Sequence, residues 1–382
     1  MRILLISEFF PLSNQGDFTG GVENNTFFLA KHLADKHTVT VICSATFDKS
    51  ESFFPPGFRV IRVGPRRKHA TGTDFTRLLY IADAIRVGCQ IDTDIIQGTN
   101  FVNHAIAYQI GRIKKIPIIF WTPDVWRGEW FKNMGSFGGF IGEIIEKHNL
   151  SHRDVHFVAI SNVVANKLIR ATVPRELISV VPCGIECSRI DSVKKKKNTF
   201  PTISTVSRLV SYKAVDILIK SMPYILKEFP SAQLYIVGQG PEETKLRNLT
   251  QDMGIKEFVD FKGFKEKYDD VIGIIKSSHV FGFSSRIEGF GIALVEAMAS
   301  GVPYVAVNSD VVGETTHGKG GMLFTQGDHK DCAKKIIYLL KNKEIYKKKE
   351  NEGKRFVQRY DWKYVAGEME KIYLEDTNFI KK

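Results

Sequence analysis

Apolar and polar positions along this chain follow two rhythms. Short runs rich in β-branched residues read as strands: Ile3 to Ile6, Val39 to Cys43, Asp94 to Gln97, Ile116 to Trp121 and Phe157 to Ile160. Between them lie segments with apolar residues at helical spacing, such as Glu23 to Ala34 and Ala105 to Ile113. Strand and helix in alternation predict parallel strands joined by crossover helices. Around Val181 to Phe200 the rhythm breaks. Pro182, Gly184 and four lysines, Lys194 to Lys197, mark an interdomain linker. A second alternation follows, with strands at Thr202 to Ser207, Gln233 to Val237, Val259 to Phe261, Val280 to Phe283 and Pro303 to Val307. Helices at Ala214 to Glu228, Asp269 to Ser277 and Ile292 to Ser300 fall among them. The expected fold class is α/β, two Rossmann-like domains facing a cleft. The first spans residues 1–188, with an amphipathic tail at about 361–382 packing back on it; the second spans 189–360. In open sheets of this kind, ligands bind beyond the carboxyl ends of the strands.

Composition changes little in this picture. At 43% hydrophobic and 25% charged the chain is ordinary for a globular protein. No apolar run reaches the roughly 18–20 residues of a membrane-spanning helix. The opening MRILLISEFFPLS turns polar too soon for a signal peptide, so a cytoplasmic location is expected. Five scattered cysteines do not form a disulfide framework, and Cys183 and Cys187 lack the second pair a zinc site needs. The net charge of +12 does matter, because it favours anionic partners.

The candidate chemistry is densest between Ser284 and Pro303. A strand ends, and the glycine-flanked turn Glu288-Gly289-Phe290-Gly291-Ile292 opens a helix. Gly289 and Gly291 let the backbone approach a ligand, and the free N–H groups of Phe290, Gly291 and Ile292 suit an anion. Glu288 sits in the turn, and Glu296 lies eight residues on, within the helix. Two carboxylates beside an anion site suit a ligand carrying both phosphates and hydroxyls.

This stretch resembles the E-x7-E pattern of the retaining glycosyltransferases of the GT-B fold, specifically glycosyltransferase family 4. The resemblance implies that Glu288 touches the transferred sugar and Glu296 holds the ribose hydroxyls of the nucleotide. Other segments agree in order. Gly20 and Gly21, after the first strand, resemble the family's glycine loop near the donor diphosphate. Arg208 and Lys213 resemble its phosphate-binding pair, able to neutralise a leaving diphosphate. Gly238, in Gly238-Gln239-Gly240-Pro241, resembles the glycine-proline turn, and Gly263 and Phe264 the loop near the nucleotide base. Ser161, Asn162 and Pro182 to Glu186 match the hinge, and the tail around Trp362 the crossover helix. The implied function is transfer of a hexose from a nucleoside diphosphate sugar to a glycan, lipid or lipid-linked acceptor. The implied machinery needs no metal ion and no cofactor beyond the nucleotide sugar, which is substrate. The domain 1–188 would bind the acceptor and 189–360 the donor. Closure of the domains would complete the site.

One departure stands out. Where many members carry a His-Asp pair after the strand at Ile116 to Trp121, this chain has Pro123 and Asp124. Asp124 is the one acidic residue there able to orient an acceptor or act as base. Asp92-Thr93-Asp94 looks like a metal-binding motif, but its place before a buried strand reads as a turn. His148, His152 and His156 read as surface and packing residues. The aromatic stretch Trp126 to Phe140, with Arg66, Arg67 and Lys68 in another loop, reads as an acceptor lining, as a peripheral contact with an anionic membrane, or as a loop over its own core. Rival readings are a sugar-nucleotide epimerase on the same fold, and an inactive basic member binding membrane or nucleic acid. Under the main reading no nucleic-acid partner is expected.

Overall fold

The computed structural model describes residues 1–12, 20–45, 51–54, 57–66 and 75–380. The chain divides into two compact units, Met1–Gly184 with Trp362–Lys382, and Ile185–Asp361.

The first unit is built on an eight-stranded sheet. Its strands are β1 (Arg2–Ile6), β2 (Thr38–Ser44), β3 (Glu51–Phe54), β4 (Phe58–Val63), β5 (Ile95–Thr99), β6 (Ile118–Thr122), β7 (His156–Ala159) and β8 (Ile178–Val180). The order is β3-β4-β2-β1-β5-β6-β7-β8, parallel except for the edge pair of β3 with β4. Helices cover both faces, so the central strands are buried on both sides and read as continuous apolar runs. The edge strand β3 and its neighbour β4 carry Phe54 and Phe58, which stack 5.3 Å apart beside Phe10 and Phe27.

The final helix, Trp362–Ile380, belongs to this unit. Trp362 is buried against Phe28, and a Cβ on Gly184 would stand 2.4 Å from its ring. Further along, the Tyr373 hydroxyl donates to Gln97 at 2.6 Å, and Asp376 pairs with His156 at 2.9 Å. Charged and polar partners thus fix the register of a helix whose apolar face supplies the packing.

The second unit has a six-stranded, all-parallel sheet: β9 (Thr202–Val206), β10 (Gln233–Val237), β11 (Val259–Gly263), β12 (Val280–Phe283), β13 (Tyr304–Val307) and β14 (Gly321–Phe324). Its order is β11-β10-β9-β12-β13-β14. One core of Ile203, Leu218, Met222, Leu234, Ile236 and Val305, with neighbours, joins sheet to helices. Each such side chain contributes about 1.5–3 kcal/mol by leaving water. The chain winds outward from β9 to β10 and β11, then returns to lay β12 on the other side of β9. That reversal opens a crevice at the carboxyl ends of β9 and β12. In the first unit the same reversal falls between β1 and β5.

Candidate functional site

At the carboxyl end of β9 the chain passes through Ser207 and Arg208 into a short turn, Ser211–Lys213, before the helix Val215–Glu228. The loop after β10 lies hard against it. Ser207 N–H donates to Val237 O at 3.0 Å and Leu209 N–H to Gln239 O at 2.9 Å. This approach is why Gly238 lacks a side chain: its φ is 127°, and a Cβ would stand 1.9 Å from the Ser207 carbonyl oxygen. Its structural demand comes from the neighbouring loop. Gly263, with φ 66°, has open space where a Cβ would be, and Phe264 beside it is half-exposed.

Beyond β12, the loop from Ser284 to Gly291 closes on the same turn. The Ser284 hydroxyl donates to Lys213 O at 3.0 Å, and Arg286 N–H to Tyr212 O at 2.8 Å. The Arg286 guanidinium donates to Ser211 O at 2.8 Å. Held this way, the Lys213 ammonium forms an ion pair with the Glu288 carboxylate, both side chains largely covered. Arg208 is exposed, and its guanidinium donates to the Tyr212 hydroxyl at 3.2 Å. The Lys213 ammonium lies 5.5 Å from the centre of the Tyr212 ring, so this tyrosine sits between the two cations. Gly291, at φ 91°, caps the helix Ile292–Ala299 with no side chain across its first N–H groups. Two cations, one carboxylate and a helix start thus converge where the strand order reverses.

Glu296 has a different partner. It is 6% exposed, and its Oε1 accepts from the Tyr268 hydroxyl at 2.9 Å. Burial pushes its carboxyl up to about 7, while the Tyr268 bond pulls it down. Burial, then the Glu296 charge, holds the Tyr268 phenol well above its ordinary 10.

In the first unit, Gly20 is extended and precedes the helix Gly21–Leu33; a Cβ there would meet nothing. Asp124 follows β6 and is engaged: its Oδ1 accepts from Lys167 at 2.5 Å and from Val125 N–H at 2.9 Å. The stretch from Trp126 to Phe140 is largely helical. The helix Trp130–Ser151 contains a reversal at Gly135, with φ 70°. Trp126 and Trp130 turn inward against Phe101 and are tied by their N–H groups to the buried Glu146, at 2.9 and 2.8 Å. Burial lifts that carboxyl to about 7 against the pull of both donors. Phe131, Met134, Phe137, Phe140 and Ile144 are exposed. Arg66 is exposed, while Arg67 and Lys68 lie outside the described residues.

Asp92 and Asp94, in the turn before β5, both pair with Arg2 at the start of the neighbouring β1. His152 stacks on Tyr108, ring centres 3.6 Å apart. Among the described residues no group of His, Cys, Asp and Glu is placed to hold a metal ion, and no helix is long and apolar enough to cross a membrane.

Nothing in the amino-acid order alone singles out Tyr212, Tyr268, Lys167 or Glu146. Each is tied to its partner by folding. Only Tyr212 had a local hint, standing between Arg208 and Lys213.

Residues 19–189 match a sequence model described as Glycosyltransferase Family 4, and residues 188–356 one described as Glycosyl transferases group 1. A Corynebacterium glutamicum protein described as GDP-mannose-dependent monoacylated alpha-(1-6)-phosphatidylinositol monomannoside mannosyltransferase is 34% identical over 178 residues, 42% of this chain and 46% of its own length. The chain spans about half the length of the curated relatives it matches. Among solved structures, sucrose-phosphate synthase from Thermosynechococcus elongatus superposes with a TM-score of 0.82 at 19% identity, covering 98% of both chains. Anabaena HepE in complex with UDP and glucose superposes with a TM-score of 0.74 at 19% identity, covering 97% of this chain and 98% of its own. At such identity the likeness establishes the fold alone, the GT-B fold with its two Rossmann-like units.

Proposed function

The chain belongs to the glycosyltransferases of the GT-B fold, and from that membership we propose that it moves a hexose from a nucleoside diphosphate sugar to a glycan, lipid or lipid-linked acceptor, with retention at the anomeric carbon. The observation that carries this reading is the Lys213–Glu288 ion pair at the strand reversal, beside Arg208 and the helix start at Gly291. A diphosphate needs fixed positive charge where its bond to the sugar breaks. Arg208 offers a fork for phosphate oxygens and Lys213 a point charge, both in place before the reaction. Glu288, oriented by Lys213, is set to accept from a hydroxyl of the transferred sugar. Because these groups meet the leaving charge, the reading uses neither a metal ion nor a separate cofactor.

Residues 189–360 then bind the donor, with Glu296 on the ribose, Gly263 and Phe264 near the base, and the N–H groups of Phe290, Gly291 and Ile292 toward the diphosphate. Residues 1–188 bind the acceptor, with Gly20 and Gly21 toward the diphosphate and Asp124, steadied by Lys167, orienting the acceptor. The exposed Phe131, Phe137 and Phe140, on a chain of net charge +12, suit peripheral contact with an anionic membrane at its cytoplasmic face.

The test is hydrolysis and binding across UDP- and GDP-sugars, with and without EDTA, for the wild type, Glu288→Gln and Arg208→Ala. One donor should bind and turn over slowly, unaffected by EDTA, with both variants at least about 100-fold slower. If no nucleotide sugar binds while anionic vesicles do, the transfer reading is wrong.

A further inference from the structure

We propose that Tyr268 is the positioning residue that makes Glu296 a reader of the donor's ribose; this rests on the reading of Glu296 as the carboxylate that holds that sugar. An ionised carboxylate has about four lone-pair positions. Among the described residues Glu296 accepts one side-chain hydrogen bond, from Tyr268 at 2.9 Å. Tyr268 is itself fixed. It is 8% exposed, it opens the helix Tyr268–Ser277, and the Arg189 guanidinium lies over its ring, 5.1 Å from the centre. Arg189 in turn pairs with Asp269, the next residue, at 2.8 Å. A ring held on its face by a cation and by its own helix leaves the hydroxyl little choice of direction.

The location is also right. Tyr268 follows the loop that leaves Gly263 and Phe264 at the carboxyl end of β11, and Glu296 lies one turn into the helix that follows β12. Tyr268 uses Oε1 and leaves Oε2 with its lone pairs for a vicinal diol. Its hydroxyl also favours the ionised carboxylate, the stronger acceptor. Without it, burial pushes the carboxyl further toward its neutral form, the weaker acceptor.

Calorimetric titrations with UDP and 2′-deoxy-UDP, and with GDP and 2′-deoxy-GDP, test this on the wild type, Tyr268→Phe and Glu296→Gln; inorganic pyrophosphate, which has no ribose, is the control. The wild type should prefer the ribo form of the base it accepts by about tenfold or more. Tyr268→Phe should lose most of that preference while binding the deoxy form and pyrophosphate like the wild type. If Tyr268→Phe keeps the preference and Glu296→Gln loses it, the positioning role is refuted and the reading of Glu296 stands. If Tyr268→Phe also loses pyrophosphate, the tyrosine is merely structural and the proposal fails. If the wild type binds ribo and deoxy forms alike, or Glu296→Gln keeps the preference, Glu296 does not hold the ribose and both readings fall.

Discussion

Acidification should weaken donor binding through Glu296, and the size of the effect follows from its burial. The carboxyl of the free protein ionises at about 7, because desolvation outweighs the single bond from Tyr268. Ribose hydroxyls donate to the charged form more strongly than to the neutral acid, so the donor selects the ionised protein. At pH 5.5, roughly 1.5 units below that midpoint, only about 3% of the free protein carries the charge. At tenfold per unit, or about 1.4 kcal/mol, the apparent affinity falls about 30-fold from its plateau above pH 8. Stability moves the other way. Since the folded carboxyl ionises above the ordinary 4.5, the folded state holds the proton more tightly than the unfolded chain between those values. The fold therefore loses stability as pH rises through that window, by about 3 kcal/mol from this group. One residue thus gives two slopes of opposite sign. The assay is titration with an intact nucleotide sugar, whose diphosphate diester does not ionise in this range, from pH 5.5 to 8.5, beside melting curves of the free protein. Glu296→Gln should flatten the affinity profile and part of the stability profile; Glu146, also at about 7, keeps its share. A wild-type affinity constant across the range, or the same slope in Glu296→Gln, would refute the reasoning.

Three structural predictions accompany it. Gly238→Ala puts a methyl against the Ser207 carbonyl at a φ that L-residues rarely adopt, so denaturant unfolding should show a loss of about 3 kcal/mol or more. Ala214 sits at φ 49°, ψ 40°, just after Lys213, and its methyl is buried; in Ala214→Gly the relief of about 1 kcal/mol of left-handed strain is offset by the loss of a buried methyl worth about 0.8 kcal/mol, so the melting temperature should stay within about 2 °C. Phe137→Ser with Phe140→Ser should leave the melting temperature within about 1 °C, since both rings are exposed. The same double change should lower sedimentation with phosphatidylglycerol vesicles about tenfold; unchanged sedimentation would remove these rings from any membrane contact.

What could be read from the amino-acid order depended on whether the deciding partner was near in sequence. β10 and β12 fall where the apolar runs placed them: β12 is buried along its whole length and β10 at Leu234, Ile236 and Val237, so both announce themselves locally. β4 went unread because Arg59 and Arg62 interrupt its apolar positions. Arg62 is nonetheless buried, donating to Pro11 O at 2.7 Å and to Ser52 at 2.8 Å. The first of those partners is 51 positions away, so nothing beside the arginine shows where its two terminal nitrogens find acceptors. Glycines at 135, 138, 139 and 142 each disfavour a helix on propensity alone. The backbone reverses at Gly135 and folds Trp130 and Phe131 onto the following turns. A Cβ on Gly142 would stand 2.3 Å from the Trp130 ring, and one on Gly139 would stand 2.7 Å from the Phe131 backbone. Close packing thus requires the residues that propensity counts as breakers. At the candidate site, Lys213 and Glu288 were each legible as chemistry, yet their pairing across 75 positions was not. Tyr268, flanked by Lys267 and Asp269, reads as a surface residue; what buries it is a carboxylate 28 positions on and an arginine from the segment before β9. A motif names the groups that meet a ligand. The groups that set their charge and direction come from other strands and helices, and only the fold brings them there.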